Sequence, residues 1–255
     1  MHPSIKWAAE LDRVRELSLT GTADLDFWRE HLREHDLVPA ESQDGQAQIQ
    51  VVAADATFMG VRFRELSFSV LVRASEGEYP QGATYLVGAF NSSRFFAYCE
   101  RAFFATPYDH GDVRLSGSPP ASIHLAKNEE GVFRAELRAM GREPARRGEQ
   151  SWMGPVFLPE ARPGKVRQGN LFYARLSGQT QTYPFLPDQD TLMLAPAPAS
   201  TILQLLHHSR FTGKEWAVRK AAAHAKSKTY KRAAMQLRGT AVSAPETEPG
   251  RGDLR

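Results

Sequence analysis

The chain has 255 residues, of which 42% are hydrophobic and 24% are charged, a balance that is typical of a globular protein with a substantial core. The formal net charge of +3 excludes a uniformly basic or acidic polyelectrolyte. Because Cys99 is the only cysteine, an intrachain disulfide and a cysteine-cluster metal site are both excluded. With no signal-peptide core at the N-terminus and no run near the ~20 apolar residues of a membrane span, we expect a cytoplasmic protein without a membrane partner.

The first residues have a helical pattern. Trp7, Leu11 and Val14 recur at the spacing of one helix face, which predicts a first helix. A second, short helix is predicted where Asp24 can serve as the N-cap of the run LDFWREHL. Both helices precede the first predicted strands.

After residue 46 the period changes from helical to alternating. The runs AQIQVVAAD, TFMGVRFREL, SFSVLVRA and TYLVGAF are rich in β-branched and aromatic residues, which favour strands. A third helix, SSRFFAYCERAFF, follows with Ser92 or Ser93 as its cap and is predicted to end near Ala105, just before Pro107.

Strands are predicted again in the second half of the chain. ASIHLAK and VFRAELRAM form a hairpin around NEEG, and further strand candidates lie in DVRLSG, SWMGPVFLP, KVRQGNLFYARLSG, QTQTYPFL and TLMLAP. The run PAPASTILQLLHHS is predicted to be helical. So many consecutive strands indicate an α+β fold in which a barrel or a strongly curved antiparallel sheet is favoured over a doubly wound sheet.

The C-terminal part is strongly basic. Residues 210–238 contain nine Lys or Arg against one acid, Glu215, and their alanines and lysines have high helix propensity. We therefore predict a domain at residues 1–209, a basic helical extension at 210–239 and a disordered tail at 240–255. A solvated helix packed on the domain is favoured, and weak nucleic-acid binding through residues 210–239 stays open.

One run resembles the core segment of the acetoacetate decarboxylase superfamily: TYLVGAFNSSRFFAYCERAFFATPYDHGDVRL. Arg101 matches the arginine of the family's helix, and Pro107 matches the proline that follows it. The upstream segment GVRFRELSFSV, with Glu65, resembles a family segment in which a glutamate precedes a strand. The resemblance implies a cone-shaped antiparallel β-barrel with an internal helix, flanking N- and C-terminal helices and a central ligand pocket.

The chain departs from the family where the chemistry takes place. In the family a pair of lysines follows the proline and one of them forms an imine with the substrate. Tyr108 and Asp109 occupy these two positions here, and no lysine lies between Lys6 and Lys127. The resemblance therefore implies a small carbonyl or carboxylate ligand, while the decarboxylase reaction through an imine is not expected.

The residues around this departure are the candidate site. We expect Tyr108, Asp109 and His110 to be catalytic, and Arg101 and Glu65 to bind substrate. His110 can exchange protons near neutral pH with Asp109 orienting it, and Tyr108 can donate a hydrogen bond to a carbonyl or enolate oxygen. Arg101 can pair with a substrate carboxylate. These types suit proton transfer, dehydration or an aldol-type step, which is lyase-like chemistry.

Other interpretations stay open. Tyr-Asp-His-Gly is also good turn chemistry, and Arg101 can serve in a structural ion pair alone. A non-catalytic protein that binds or senses a small molecule is the main functional alternative, with nucleic-acid association the second. No metal motif is present, so no metal or other cofactor is expected, and a homo-oligomer stays open.

Overall fold

A computed structural model describes residues 5–74, 82–127, 130–138, 141–159, 170–195 and 200–231. Within these ranges the helices are α1 (Leu25–Arg33), α2 (Arg94–Phe104) and α3 (Thr201–His208). The strands are β1 (Trp7–Ala23), β2 (Leu37–Pro39), β3 (Ala47–Phe58), β4 (Val61–Ala74), β5 (Thr84–Asn91), β6 (Tyr108–His110), β7 (Asp112–Ser116), β8 (Ala121–Lys127), β9 (Glu130–Leu137), β10 (Arg146–Phe157), β11 (Asn170–Pro184), β12 (Thr191–Leu194), β13 (Thr212–Ser227) and β14 (Tyr230–Lys231).

Two sheets contain all of these strands. The large sheet has the order β2-β4-β3-β1-β13-β11-β10-β5-β6, with β14 paired to β11, and β5 also pairs with β4. The pairs therefore run from β4 through β3, β1, β13, β11, β10 and β5 back to β4. Only the β10–β5 and β5–β6 pairs are parallel, and the small sheet has the order β12-β9-β8-β7. The predicted α+β class, dominated by antiparallel strands, is confirmed.

The main core lies between the two sheets. In β3, Ile49, Val51 and Ala53 are buried, whereas the residues between them are partly exposed. Because successive strand residues project to opposite sides, one side of the large sheet faces the core. Ile123 and Phe133 of the small sheet pack into the same core. The other side of the large sheet remains available for polar residues.

Two predicted helices are confirmed by their caps. α1 begins after Asp24, whose Oδ1 accepts a hydrogen bond of 2.8 Å from the backbone N of Phe27. α2 begins after Ser93, whose Oγ accepts one of 3.3 Å from the backbone N of Phe96. These side chains accept hydrogen bonds from N–H groups that lack partners in the first turn. The start of each helix is therefore determined by the residue next to it in the sequence.

The prediction of a helix around residues 7–14 is wrong, because this segment is the start of β1. Its pairing with β13 shifts register between Leu11 and Val14 and again between Val14 and Glu16. Arg13 between them has a φ of 57°. Such bulges add residues to one strand and disrupt the two-residue alternation. The apolar spacing then imitates that of a helix.

The predicted basic helix is also wrong over Thr212–Ser227, which is β13. This strand is hydrogen-bonded to β1 on one side and to β11 on the other. Pairing on both edges outweighs the helix propensity of its alanines and lysines, as tertiary context often does. Residues 232–239 and the predicted disordered tail lie outside the described residues. No helix in the described ranges is long and apolar enough to cross a membrane.

Candidate functional site

A row of directly paired residues crosses four strands of the large sheet. Arg219 of β13 is opposite Glu16 of β1, Glu16 is opposite Ala54 of β3, and Ala54 is opposite Glu65 of β4. Directly opposed residues project to the same side of a sheet. We call this side, opposite the main core, the polar face. In this row Ala54, which has a small side chain, is the one residue between Glu16 and Glu65.

Glu65 and Tyr108 form the first part of the site. Tyr108 is buried, and its hydroxyl lies close enough to the Glu65 carboxyl for each group to shift the pKa of the other. Burial raises the pKa of Glu65, and the nearby charge of Glu100 raises it further, although Lys226 acts in the opposite direction. Burial and then the charge of Glu65 hold the pKa of Tyr108 well above its ordinary value. Tyr108 is therefore a permanent hydrogen-bond donor, whereas Glu65 can carry a proton at a higher pH than a solvated carboxyl.

Lys226 enters the same site from the end of β13. Its Nζ forms an ion pair with the carboxylate of Glu100, which α2 supplies. The Nζ also lies 4.7 Å from the ring centroid of Phe172, 4.8 Å from that of Phe104 and 5.6 Å from that of Tyr108. A carboxylate and aromatic faces both stabilise a cation. The site therefore holds an ammonium group that no sequence motif indicated.

A second cluster of polar residues lies on the polar face around Glu16, which is only 1% exposed. Its two carboxylate oxygens lie 2.5 Å from Arg219 Nη1 and 2.7 Å from His224 Nε2. The other Arg219 nitrogen, Nη2, donates a 2.9 Å hydrogen bond to Gln150. Burial alone would raise the pKa of Glu16, but the close contact with His224 and the charge of Arg219 outweigh it and lower the pKa.

The structure brings together two of the five residues predicted for the site, Glu65 and Tyr108. Successive residues of β6 project to opposite sides, and the side chain of Asp109 is 56% exposed, 3.4 Å from Lys127 Nζ. His110 is exposed as well. Arg101 donates a 2.6 Å hydrogen bond to the backbone oxygen of Tyr108 and lies 3.8 Å from Asp109. Arg101 therefore contacts the backbone behind the site.

The site's remaining groups were missed by sequence reasoning. Glu100 and Lys226 are 126 positions apart in the chain, so no local spacing relates them. Among the described residues, no group of three or more His, Cys, Asp or Glu side chains could hold a metal ion. What the arrangement offers is a carboxyl with a raised pKa, a phenol and a sheltered ammonium, all at one end of the polar face.

Comparison with known proteins gives the fold. No protein-family model and no curated protein sequence matches the chain. Solved structures match nearly all of it. The enduracididine biosynthesis enzyme MppR complexed with pyruvate is 11% identical, with a TM-score of 0.59 over 91% of each chain. The chain has the acetoacetate decarboxylase-like fold.

Two further structures agree with this assignment. The acetoacetate decarboxylase of Legionella pneumophila is 15% identical, with a TM-score of 0.58 over 90% of this chain and 89% of that one. An acetoacetate decarboxylase-like enzyme of Sphingomonas wittichii is 12% identical, with a TM-score of 0.57 over 87% of this chain and 92% of that one. The predicted resemblance is confirmed at the level of the fold, and identities this low carry no activity with them.

Proposed function

We propose that the chain binds a small carbonyl compound on the polar face and catalyses proton transfer next to its carbonyl group, without forming an imine. The observation that carries this proposal is the neighbouring pair of half-buried Glu65 and buried Tyr108, in which desolvation raises the pKa of the carboxyl group. A general acid–base group works best when its pKa lies near the working pH. A solvated glutamate is too weak a base for this task.

Each group of the site has a role in that reaction. The Glu65 carboxylate removes a proton from the carbon beside the carbonyl, and the electron pair of the broken C–H bond moves into the carbonyl to give an enolate. The ammonium of Lys226 stabilises the negative oxygen, an effect that is strong where water is scarce. The Tyr108 hydroxyl orients the Glu65 carboxyl by donating a hydrogen bond to it in the reacting complex. The proton then returns from Glu65 to the carbon or to another acceptor atom.

The environment of Lys226 argues against an imine. Imine formation requires a neutral amine, which enzymes obtain by desolvating a lysine or by placing another cation beside it. Lys226 has the reverse surroundings, because its Nζ forms an ion pair with Glu100 and lies against three aromatic rings. We assign it to binding and charge stabilisation.

The ligand class is inferred from relatives of the same fold. Structures of MppR are described with pyruvate and with the condensation product of pyruvate and imidazole 4-carboxaldehyde. From these ligands we infer that this chain binds a small compound with a carbonyl group beside a carboxylate.

The shape of the fold and the location of the protein are inferred separately. The strand pairings that return to β4 lead us to infer a cone-shaped barrel around the site. The single cysteine favours a cytoplasmic location.

The other predicted site residues receive different assignments. Arg101 and Asp109 form a contact of 3.8 Å, and Arg101 also holds the backbone oxygen of Tyr108. We propose that both residues position β6, and that His110, exposed on the same strand, takes no part in the chemistry. His110 thereby provides a matched control for Glu65.

The test is the exchange of the methyl protons of pyruvate with D2O, followed by proton NMR. We expect the protein to accelerate loss of the methyl signal above the buffer rate. Glu65→Gln should slow this exchange at least about 100-fold, the usual contribution of a general base. Tyr108→Phe should slow it less, and His110→Ala should match the unchanged protein.

Three outcomes would contradict the proposal. The unchanged protein could leave the methyl signal at the buffer rate, or Glu65→Gln could exchange as fast as the unchanged protein. A mass increase at Lys226 after incubation with pyruvate and borohydride would show an imine. Stabilisation by pyruvate in a thermal scan without exchange would instead favour the non-catalytic binding protein.

Nucleic-acid association loses its structural premise. It depended on an exposed basic helix, but residues 212–227 form a strand inside the large sheet. Two of its cations, Arg219 and Lys226, are neutralised by Glu16 and Glu100. We therefore do not favour it.

A further inference from the structure

Three arginines surround the carboxyl group of Asp55, whose side chain is only 3% exposed. Arg62 binds both carboxylate oxygens, with its Nε 2.8 Å from Oδ1 and its Nη2 2.6 Å from Oδ2. Arg15 Nη2 lies 2.7 Å from the same Oδ2, and Arg64 Nε lies 3.5 Å from it. Three guanidinium groups therefore converge on one carboxylate oxygen. We call Arg15, Arg62, Arg64 and Asp55 the arginine cluster.

The arginine cluster lies on the side of the large sheet opposite the polar face. Arg15 of β1 is opposite Asp55 of β3, and Asp55 is opposite Arg64 of β4. This row is next to the row that contains Glu65, and neighbouring rows project to opposite sides of a sheet. Arg62 is two residues before Arg64 on β4 and so projects to the same side as Arg64. The cluster is therefore separate from the proposed catalytic groups.

One carboxylate does not satisfy the arginine cluster. Three guanidinium charges against one carboxylate leave a local charge of +2, and in the described part of the chain no second carboxylate lies within ion-pair distance of these arginines. A bidentate arginine alone neutralises a carboxylate, so Arg62 is sufficient for Asp55. Arg64 Nε is buried and has no hydrogen-bond acceptor among the described residues, since Oδ2 already accepts hydrogen bonds from Arg15 and Arg62.

The arginine cluster is accessible from solvent. The side chains of Arg15, Arg62 and Arg64 are 49%, 55% and 35% exposed. Each guanidinium group has five N–H donors, and the hydrogen bonds to Asp55 use one donor of Arg15 and two of Arg62. The remaining donors can bind a second anion that approaches from solvent.

We propose that the arginine cluster binds the phosphate group of a small molecule. A phosphate monoester has about two negative charges at neutral pH and three acceptor oxygens, which match the charge of the cluster and its three guanidinium groups. Arginine binds phosphate oxygens through two parallel N–H donors. A single carboxylate would leave one positive charge unpaired.

The convergence of the arginines favours a small molecule over a nucleic acid. All three guanidinium groups meet at one point, which suits one phosphate group, whereas a nucleic-acid backbone is bound by cations spread along its length. The proposal goes beyond the proposed function and does not depend on it, because the arginine cluster and Glu65 lie on opposite sides of the sheet.

The test is the midpoint of thermal unfolding of the full chain in sodium phosphate and in sodium chloride of equal ionic strength. A ligand that binds only the folded state raises this midpoint. With a dissociation constant of about 1 mM, about 20 mM phosphate should raise the midpoint by roughly 5 °C, whereas chloride should have little effect. Isothermal titration calorimetry with inorganic phosphate measures the dissociation constant directly.

Two double variants locate the site. Arg15→Gln with Arg64→Gln keeps one bidentate pair with Asp55 and brings the local charge to zero. This variant should raise the dissociation constant for phosphate at least about 10-fold, since two charge-assisted contacts are lost. Arg29→Gln with Arg33→Gln is the matched control, because these α1 side chains are 50% and 72% exposed; it removes the same charge and should leave the dissociation constant unchanged. Circular dichroism checks that both variants remain folded.

Four outcomes would overturn the proposal. Phosphate could leave the midpoint of the unchanged protein where it was, or phosphate and chloride could raise it equally, which would show an effect of ionic strength alone. Equal losses of phosphate affinity in the two double variants would show an effect of net charge. A single-stranded oligonucleotide that binds the unchanged protein and is displaced by phosphate would assign the arginine cluster to nucleic acid.

Discussion

Glu65 and Glu16 project from the same side of the sheet, yet the fold moves their pKa values in opposite directions. Burial and the neighbouring charge of Glu100 raise the pKa of Glu65. Glu16 is at least as deeply buried, but His224 and Arg219 lower its pKa. Carboxyl groups whose environments separate their pKa values take different roles. Glu65 is suited to exchange protons, and Glu16 is a fixed anion that holds Arg219 and His224 in place.

The raised pKa of Glu65 predicts how stability depends on pH. The folded state binds this proton more tightly than the unfolded state, whose pKa is near the ordinary value of 4.5. The stability contributed by protonated Glu65 is therefore full below that value and is lost as pH rises through the folded pKa. Gln stays neutral throughout, so the free energy of unfolding of Glu65→Gln should gain on that of the unchanged protein as pH rises from 4 toward 7.

Urea unfolding at a series of pH values measures this difference. Glu143→Gln is a suitable control, because the side chain of Glu143 is 86% exposed and its removal should leave the pH dependence nearly unchanged. If the curves of Glu65→Gln and the unchanged protein run parallel between pH 4 and 7, the carboxyl of Glu65 is not desolvated as the structure indicates.

The pair of Arg219 and Glu16 is the other testable feature at this scale. Their side chains are 8% and 1% exposed, and removing one partner of a buried ion pair typically costs about 3–5 kcal/mol because the other charge is left unpaired. We expect Arg219→Met to lower the free energy of unfolding by about this amount. Adding Glu16→Leu should recover much of the loss in urea unfolding, and a double variant less stable than Arg219→Met would contradict this account.

Among the elements, the helices could be predicted from the sequence and several strands could not. α1 and α2 begin at caps formed by Asp24 and Ser93, which are local signals. β1 and β13 are stabilised mainly by pairing between distant parts of the chain. Bulges interrupt the alternation of apolar and polar residues in β1, and the helix-forming alanines of β13 make its alternation hard to recognise. Secondary-structure propensity depends on residues that are close in sequence, whereas a β-strand is stabilised by hydrogen bonds to strands that can be distant in sequence.

The candidate site shows the same difference between residues that the sequence could indicate and residues brought in from distant segments. Glu65 and the position of Tyr108 were predicted from a resemblance to a family whose fold is now confirmed, and the structure places these two residues side by side. The short strand β6 separates Tyr108 from Asp109, because successive residues of a strand project to opposite sides. Lys226 was missed because its segment was interpreted as a helix, and a helix would have kept it away from Glu100. A strand interpretation of β13 would have been needed to find it.

At the scale of the whole molecule, β1 and β13 connect the beginning and the end of the described chain. Their register extends from the pair of Trp7 and Ser227 to that of Thr22 and Thr212. β13 also contributes Trp216 and Val218 to the main core. These contacts make the basic segment part of the folded domain, in contrast to an extension that packs on its surface.

This placement predicts that residues 1–209 alone do not form a stable domain. Without β13, the backbone edges of β1 and β11 lose their partners, and the core loses fully buried Trp216. A large buried aromatic alone contributes about 3–5 kcal/mol, a large part of the ordinary 5–15 kcal/mol of a whole domain. We expect fragment 1–209 to show no cooperative transition in urea by near-ultraviolet circular dichroism, whereas fragment 1–231, which keeps β13 and β14, should unfold cooperatively. A cooperative transition in the shorter fragment would mean that the large sheet can form without its central strand.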